Sequence, residues 1–421
     1  MQIFCTGVST GKICVFRLKI TALRVLHSLH SYYYYYYIYI IIIQGIGGVF
    51  MKFQCDTALF SQACQNVQRA VSTKTSIPAV EGILIKALGS ELIITGYDLD
   101  IGINTSITAA VEESGAIILN ARVLCEILRR IPNDTIRIEC DDRNLAVIRS
   151  GEIKYEIMGI SADEYPELPT VKGGFPVIIN QKLLREMVHQ TIFAVASSDS
   201  KVVYTGIKFE LTENEIKLVA VDGFRMAIRK VAIDYHGEDM TFIVPAKTLS
   251  EVVKLACSDD DEAYVSLGIG KRHILFECEG YSVVSRLLEG EFLNYKAAIP
   301  VTVSTTVRIN ARSLIDSVER TSLIITDKTK SLVSCIFDDG FIKINSVTSL
   351  GTANDRIPAT VDGNKVEIGF NNRYLLDALK ACDTDEVRIE LNGAISPILI
   401  LPPEGDSFTF LVLPVRLKKN D

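Results

Sequence analysis

The residues best placed to do chemistry lie near the start of the chain, where residues 6–13 read TGVSTGKI. A phosphate-binding loop uses spaced glycines, a lysine and a following Ser or Thr that binds Mg²⁺. Here the first glycine is one position too close to the second, and Ile13 replaces the hydroxyl residue. A second glycine run, GIGKRH at 268–273, falls in a predicted hairpin turn and opens no helix. Neither stretch therefore predicts nucleotide chemistry.

Histidine, acidic and cysteine residues do not suggest a catalytic or metal site either. His189, His236 and His273 are isolated in the sequence, so none has an evident partner as a general base. The acidic run DDDE at 259–262 is typical of a solvated turn. The ten cysteines include no C-x-x-C pair, which argues against zinc. Several fall on apolar faces, which favours reduced, buried thiols.

The start of the chain carries a low-complexity run, YYYYYYIYIIII at 32–43. A membrane-spanning helix needs about 20 apolar residues, and tyrosine prefers the membrane interface to its core. Because Tyr and Ile codons are rich in A and T, a translated AT-rich repeat is the favoured interpretation. Residues 1–50 are thus expected to be an extension, disordered or added by a misassigned start, with Met51 as the functional first residue. A genuine anchor or tether is the alternative.

Charge is distributed unevenly along the 421 residues, whose net charge is −7. The first 50 residues hold four basic residues and no acid, which leaves a net charge of −11 for 51–421. Apolar residues make up 48% of the chain and charged residues 23%, so the chain is globular and long enough for several domains. The acidic balance by itself argues against a nucleic-acid partner, for which a basic footprint is expected.

From Met51 onward the sequence repeats itself at offsets of 124 to 130 residues, too long for a solenoid. GILIKALGSELIITGYD (82–98) and GIKFELTENEIKLVAVD (206–222) both alternate apolar and polar residues around a polar turn. This pattern is typical of a β-hairpin. SCIFDDGFIKINSVT (334–348) is a shortened third copy. The order strand, helix, hairpin, strand, helix, hairpin is therefore predicted three times.

Six helical segments accompany the hairpins, and they carry apolar residues at i, i+3 and i+4. The windows are 56–71, 120–131, 180–195, 245–256, 310–325 and 371–382, and all but one open with Asp or Asn, which are good N-caps. Together the windows hold twelve basic and seven acidic residues, so they sum to +5 while the rest of 51–421 sums to −16. Basic helices favour contact with phosphate, although Lys and Arg are also simply good helix formers.

The repeats, together with ITGYDLD (94–100), VAVDGFRMA (219–227), LEGEFLNY (288–295), EIGFNNRYLLDAL (367–379) and the ending LVLPVRL (411–417), resemble the β subunit of bacterial DNA polymerase III, the sliding clamp. The resemblance implies an α+β fold of three tandem DNA-clamp domains, each with two helices against antiparallel sheet. It implies domains at 51–172, 173–302 and 303–421. A head-to-tail dimer would then close a six-domain ring around duplex DNA.

The resemblance also implies three sets of site residues. A cleft for short peptides of partner proteins is expected at Tyr204, Val221, Gly223, Phe224, Arg225, Met226, Leu293, Ala298, Leu411, Leu413, Pro414, Val415, Arg416 and Leu417. The family's dimer seam is expected at Lys154, Tyr155, Ile157, Leu323 and Ile324. Two loop lysines, Lys74 and Lys201, correspond to DNA contacts. The helical cations complete the DNA-facing set: Arg69, Arg122, Arg129, Lys182, Arg185, Lys247, Lys254, Arg312, Arg373 and Lys380.

The function implied is non-catalytic: a cytoplasmic homodimer that tethers the polymerase to DNA and gives it processivity. Its partners would be double-stranded DNA without sequence preference, the DNA polymerase III catalytic subunit, the clamp loader and other proteins with a clamp-binding motif. No cofactor, metal or membrane is expected. Two alternatives remain at the level of the sequence: an interaction scaffold that never meets DNA, and a nucleotide-dependent enzyme of unknown type.

Overall fold

Asp or Asn begins five of the six helices that the structure describes. In each case the side chain accepts a hydrogen bond from a backbone amide in the first turn, as Asp56 does from Leu59 at 2.8 Å and Asn120 from Val123 at 3.0 Å. These bonds satisfy amides that a helix leaves without partners. The exception begins after Pro245, which has no capping side chain. The computed structural model describes residues 51–72, 75–171, 176–197, 201–326 and 332–417.

The six helices divide evenly among three repeats of strands. They are α1 (Thr57–Val67), α2 (Ala121–Arg130), α3 (Gln181–Ile192), α4 (Ala246–Leu255), α5 (Ala311–Ser322) and α6 (Asn372–Lys380). All six predicted windows are confirmed as helical. The first window ends early, because α1 stops at Val67 and a 3₁₀ turn, Gln68–Ala70, follows it.

The strands follow the same division. The first repeat has β1 (Met51–Asp56), β2 (Gly82–Leu88), β3 (Glu91–Tyr97), β4 (Ile101–Thr108), β5 (Ala110–Glu113), β6 (Gly115–Asn120), β7 (Thr135–Cys140), β8 (Leu145–Ser150), β9 (Ile153–Met158) and β10 (Ile160–Ser161). The second has β11 (Val177–Asn180), β12 (Gly206–Thr212), β13 (Glu215–Val221), β14 (Arg225–Ala232), β15 (Met240–Pro245), β16 (Tyr264–Ile269), β17 (His273–Cys278) and β18 (Tyr281–Arg286). The third has β19 (Thr305–Asn310), β20 (Leu332–Asp338), β21 (Phe341–Thr348), β22 (Gly351–Pro358), β23 (Thr360–Gly363), β24 (Val366–Asn371), β25 (Glu386–Leu391), β26 (Ile398–Leu401) and β27 (Phe408–Val412).

The predicted order of strands and helices is confirmed in all three repeats, but each hairpin unit has one strand more than predicted. Each continues into a third antiparallel strand, so that β4, β14 and β22 follow the first helix of each repeat and β9, β18 and β27 follow the second. These added strands matter because two pairs of them join neighbouring repeats. β4 pairs with β18, and β14 pairs with β27, each over five antiparallel residue pairs.

Pairing between repeats produces two nine-stranded sheets and leaves two smaller ones. The large sheets have the orders β10-β6-β2-β3-β4-β18-β17-β16-β11 and β15-β12-β13-β14-β27-β26-β25-β19-β23. The small sheets have the orders β5-β1-β7-β8-β9 and β22-β21-β20-β24. In the described chain, β9 and β22 are therefore edge strands, although their counterparts in the other repeats are paired.

Helices and sheets share one apolar core that runs through all three repeats. Cys64 and Cys125 on helices and Cys140 and Cys278 on strands are buried in it and free, as the apolar patterns predict. Burial raises the pKa of the Cys125 thiol to about 11 and that of Cys278 to about 12. Such thiols are poor nucleophiles, so they act as small apolar side chains. None of the helices in the described residues is long and apolar enough to cross a membrane.

Candidate partner cleft and charged helical face

The floor of an apolar cleft lies on the face of the second large sheet that points away from the helices. Val221, Met226 and Leu411 are buried there, and the register places Met226 opposite both Val221 and Leu411. Because side chains alternate along a strand, neighbouring residues such as Ala227 turn to the core on the helical side. The three floor residues, Val221, Met226 and Leu411, form an apolar cluster with Leu399 of β26 that is separate from this core. The structure thus brings three of the predicted cleft residues together.

Two further predicted cleft residues, Tyr204 and Leu413, pack against this floor. Tyr204 meets Phe292 edge to face, with ring centroids 5.7 Å apart. Phe292 lies on the inter-repeat loop between β18 and β19. Leu293 and Ala298 lie on the same loop but are exposed. The loop residues that pack on the floor are instead Phe292, Tyr295 and Ile299. None of these three was among the predicted cleft residues.

The last described residues, 413–417, bridge the second and third repeats. Leu413 donates its backbone N–H to the carbonyl of Phe224 at 2.9 Å, and Val415 donates to the carbonyl of Gly369 at 2.8 Å. A Cβ on residue 369 would lie only 2.7 Å from the Val415 carbonyl oxygen, so glycine permits the close approach. Pro414 and Leu417 are half-buried, whereas Val415 and Arg416 are exposed beside the cleft.

One end of the cleft is aromatic. Gly223 has a φ of +86°, a conformation that favours glycine and lets the chain turn between β13 and β14. Phe224 follows it with 58% of its surface exposed, and its ring stacks on Tyr374 of α6 with centroids 5.8 Å apart. Tyr374 was not among the predicted cleft residues. Its position in the first turn of a helix gave no sign of a contact with the second repeat.

Arg225 belongs to the cleft region, and its side chain makes several contacts within the protein. Its side chain is 12% exposed; Nε donates to Asp222 at 2.9 Å and Nη1 to Asp377 at 2.5 Å. The guanidinium also lies 4.6 Å from the centre of the Tyr374 ring. Through these contacts Arg225 joins the second and third repeats. Arg416 remains the exposed arginine at the rim.

The predicted seam residues lie on exposed parts of the chain. Lys154, Tyr155 and Ile157 are on the edge strand β9, where Tyr155 and Lys154 are exposed and Ile157 is partly buried. Leu323 follows α5 with 81% of its surface exposed, and Ile324 is partly buried. Of these five, Tyr155 and Leu323 are the large exposed apolar side chains.

Most of the predicted DNA-facing cations are exposed on the helices, but many are paired with acids. These pairs are Arg129–Glu126, Lys254–Glu251, Arg312–Asp316, Lys380–Glu319 and Arg69–Glu251. Within the described residues, Arg122, Lys182 and Arg373 are exposed and have no ion pair; each is the second residue of its helix. Exposed pairs are weak, so this surface still presents positive charge.

Two of the predicted DNA-facing residues have clear structural partners. Arg185 is only a quarter exposed; it donates to the carbonyls of Ala256 and Ser258 and pairs with Asp259, so it holds the loop after α4. Lys247 of α4 reaches Asp98 of the first repeat at 2.5 Å. Of the loop lysines, Lys201 lies 5.7 Å from the Tyr204 ring, and Lys74 is outside the described residues.

Comparison with known proteins agrees with the three repeats. The family models of the DNA polymerase III beta subunit match in succession: the N-terminal domain over residues 51–169, the central domain over 178–294 and the C-terminal domain over 296–416. The chain belongs to the DNA polymerase III β subunit family. The resemblance inferred from the motifs is thereby confirmed, and so is the α+β fold of three tandem domains.

Individual members of the β subunit family are similar over most of this chain. The beta sliding clamp of Bacillus subtilis is 32% identical over 379 residues, which cover 87% of this chain and 100% of that protein. A solved structure of a β subunit from Eubacterium rectale is 33% identical with a TM-score of 0.83, and covers 87% of this chain and 100% of its own. A sliding clamp from Pseudomonas aeruginosa, solved bound to griselimycin, is 26% identical with a TM-score of 0.82, and covers 88% and 100%.

Proposed function

We propose that this protein is a β sliding clamp: two chains join head to tail, enclose duplex DNA and tether replication proteins to it. Its three domains would span 51–172, 173–302 and 303–421. The family membership and the names of the relatives support this function. The observation that carries the closed ring is the presence of two complete nine-stranded sheets beside one five-stranded and one four-stranded sheet.

Each large sheet consists of a five-stranded part and a four-stranded part, and the two small sheets have five and four strands. The small sheets therefore match the two parts of a third large sheet. Each large sheet combines a half containing β4 or β14 with a half containing β18 or β27. The corresponding edge strands of the small sheets are β22 in the third repeat and β9 in the first. Pairing β22 with β9 of a second copy would add four strands to five, and the second seam would do the same. Since both unpaired edges are then covered, the arrangement closes with two chains.

The joints within the chain give a register for this seam. In the joint of β14 with β27, Arg225, the first residue of its strand, lies opposite Val412. In the joint of β4 with β18, Ile101 lies opposite Ser285. Gly351 has the same position in its hairpin as Arg225 and Ile101, and Ile157 has the same position as Val412 and Ser285. With the same register, Gly351 would lie opposite the partner's Ile157, Thr352 opposite the partner's Glu156 and Ala353 opposite the partner's Tyr155.

Leu323 has the same position in its repeat as two residues that contact the next repeat of the chain. Counting thirteen residues from the N-cap of the first helix gives Arg69, Phe193 and Leu323. Arg69 approaches Glu251 of the second repeat at 3.9 Å, and Phe193 meets Phe410 of the third at 5.2 Å between centroids. Leu323 is exposed in the single chain because its counterpart surface belongs to another copy. This supports the predicted seam.

The charge pattern suits a ring that holds DNA by enclosure. Basic helices attract phosphate without reading bases, while the acidic remainder of residues 51–421, at −16, repels DNA from the outside. Such a role uses no catalytic group or cofactor, and we place it in the cytoplasm. The cleft at Met226 and Leu413 would accept apolar side chains of short partner peptides. None of the contacts among the described residues favours the scaffold or enzyme alternatives.

Retention on DNA of different topology tests the proposal. The protein is loaded onto nicked circular plasmid with the clamp loader of the same genome, and the retained fraction is measured by gel filtration. A closed ring should stay on the circle and leave within minutes after a restriction enzyme linearises it, because the ends permit sliding off. Equal retention on circular and linear DNA would overturn enclosure. Absence of a dimer in sedimentation at every concentration would overturn the ring.

A further inference from the structure

A cavity of about 180 Å³ opens on the outer face of the second large sheet, beyond one end of the cleft floor. Ile228 and Thr409 form its base, and Tyr295 and Ile299 of the inter-repeat loop line one side. Its remaining lining residues are charged: Lys217, Lys230, Lys296 and Asp406. The cavity thus combines an apolar base with a largely basic rim.

The cavity is continuous with the cleft. Ile228 lies two residues after Met226 on the same face of β14, and a strand rises about 3.4 Å per residue, so the two positions are roughly 7 Å apart. Both belong to the same apolar cluster, together with Tyr295. A peptide anchored at Met226 therefore needs only two or three further residues to reach the cavity.

Two of the three lysines are paired with acids, and within the described residues the third is not. The register places Lys217 between Lys230 on β14, where like charges repel, and Glu210 on β12, which pairs with Lys208 at 2.7 Å. Lys217 pairs with Glu215 at 2.9 Å, and Lys230 pairs at 2.6 Å with Asp406, which is 61% exposed and itself lines the cavity. Lys296 is exposed and has no ion pair in the described part of the chain. Three ammonium groups and one carboxylate thus line the cavity, so it is locally basic on a protein whose exterior is otherwise acidic.

We propose that this cavity binds an acidic side chain of the peptide whose anchoring residues occupy the cleft. The inference rests on the proposed partner cleft and adds a charge preference to it. A guest carboxylate between the lysines relieves their repulsion and interacts over the apolar surface of Ile228, where screening by water is reduced. Elsewhere the acidic exterior disfavours acidic peptides, so the cavity would orient the peptide and select among partners.

Paired peptides test this preference. The probe is a fluorescent peptide with the clamp-binding motif of the DNA polymerase III catalytic subunit of the same genome. It is extended at either end by three glutamates or, in the matched control, by three glutamines. At 50 mM salt, one of the two glutamate peptides should bind the wild-type protein about threefold to tenfold more tightly than its glutamine control, which is the scale of a few partly exposed ion pairs. The gain should shrink at 500 mM salt.

Lysine variants assign the gain to the cavity. Lys217→Gln with Lys296→Gln should bring the glutamate and glutamine peptides within about twofold of each other, with the affinity for the glutamine peptide unchanged. Lys271→Gln with Lys365→Gln changes the net charge equally at distant positions and should preserve the gain. No gain on the wild type, or a gain that survives the cavity variant, overturns the inference and leaves the cleft intact. Failure of the glutamine peptides to bind at all overturns the cleft itself, and the inference with it.

Discussion

Arg225 and Asp377 lie 152 positions apart in the sequence and form an ion pair at 2.5 Å between β14 of the second repeat and α6 of the third. The same guanidinium bonds Asp222, whose carboxylate also accepts the backbone amide of Phe224 at 3.0 Å. One side chain therefore connects two repeats and fixes the turn that presents Phe224 to the cleft. The contacts that join the second and third repeats therefore also position a residue of the cleft.

Replacing this arginine is expected to weaken the joint. Arg225→Gln leaves two carboxylates without their cation, one of them on the largely buried Asp222, and such losses cost about 3 kcal/mol in the free energy of unfolding. Urea denaturation measures the change. Arg373→Gln, on the same helix as Asp377 but exposed, should change the unfolding free energy by no more than about 0.5 kcal/mol. Equal effects of the two substitutions would contradict the assigned role.

The cleft prediction concerns Met226 and Leu413, which line it from two different segments. Met226→Ala together with Leu413→Ala should weaken binding of a clamp-binding peptide by about 100-fold or more, because central apolar contacts carry most of the affinity. The dimer should persist in sedimentation. Met226→Leu keeps the volume and should retain binding, as should Ile178→Ala on an exposed position of β11. Unchanged affinity in the double variant would move the site elsewhere.

The seam prediction uses two leucine-sized side chains of equal exposure. Leu323 and Ile395 are both 81% exposed, but only Leu323 occupies a joint position. Leu323→Arg buries a charge at the proposed interface, which costs several kcal/mol unless it finds a partner, and should raise the dimer dissociation constant at least tenfold. Ile395→Arg should leave it unchanged. Analytical ultracentrifugation measures the dimer dissociation constant of both variants. A tight dimer of Leu323→Arg would exclude this position from the seam.

The helices and their caps could be predicted from the sequence because their causes are local. Asp56 or Asn120 caps a helix whatever lies elsewhere in the chain, and apolar spacing marks the buried face. The third strand of each unit was missed for the opposite reason. β4 reads IGINTSIT, in which Thr105 interrupts the row of isoleucines on the buried face, and its stability comes from β3 and from β18, far along the chain.

The role of each charged side chain was harder to predict than its presence. The sequence marks Arg185 and Lys247 as helical cations of the same kind as Lys182. Only folding places Asp259 against Arg185 and Asp98 against Lys247. Likewise, the contact proposed for Leu323 lies on a second chain. Contacts between distant segments and between copies leave little trace in a single sequence.

The helical surface yields a prediction about DNA. Arg122, Lys182 and Arg373 have no ion pairs in the described chain, so their charge is available to phosphate. Replacing all three with Gln should weaken DNA binding and flatten its dependence on salt, since each lost phosphate contact removes about 0.9 from the log–log slope. The matched variant replaces three lysines on or between sheet strands, Lys86, Lys271 and Lys343, and should keep the slope. Equal slopes in all proteins would show that these helices do not face DNA.

The last prediction concerns Asp355 on β22, the strand proposed to form the seam. Its carboxylate accepts hydrogen bonds from the Ser317 hydroxyl at 2.7 Å and from Arg320 at 2.6 Å, and these bonds lower the pKa of Asp355 below its usual value. A lowered pKa means that the ionised form stabilises the folded state. The stabilisation is therefore present above the ordinary aspartate pKa of about 3.9 and is lost as the pH falls through the folded value.

Asp355→Asn should accordingly reduce the free energy of unfolding by about 1 to 2 kcal/mol at pH 7, where it removes charged hydrogen bonds. The difference from the wild type should narrow below pH 4 and vanish once Asp355 is protonated in both states. Urea denaturation from pH 7 to pH 2.5, at one protein concentration because a dimer's stability depends on it, measures this convergence. Asp339→Asn, in an exposed turn, is the control and should differ little at any pH. A constant difference across the range would assign the effect to packing and not to the ionised carboxylate.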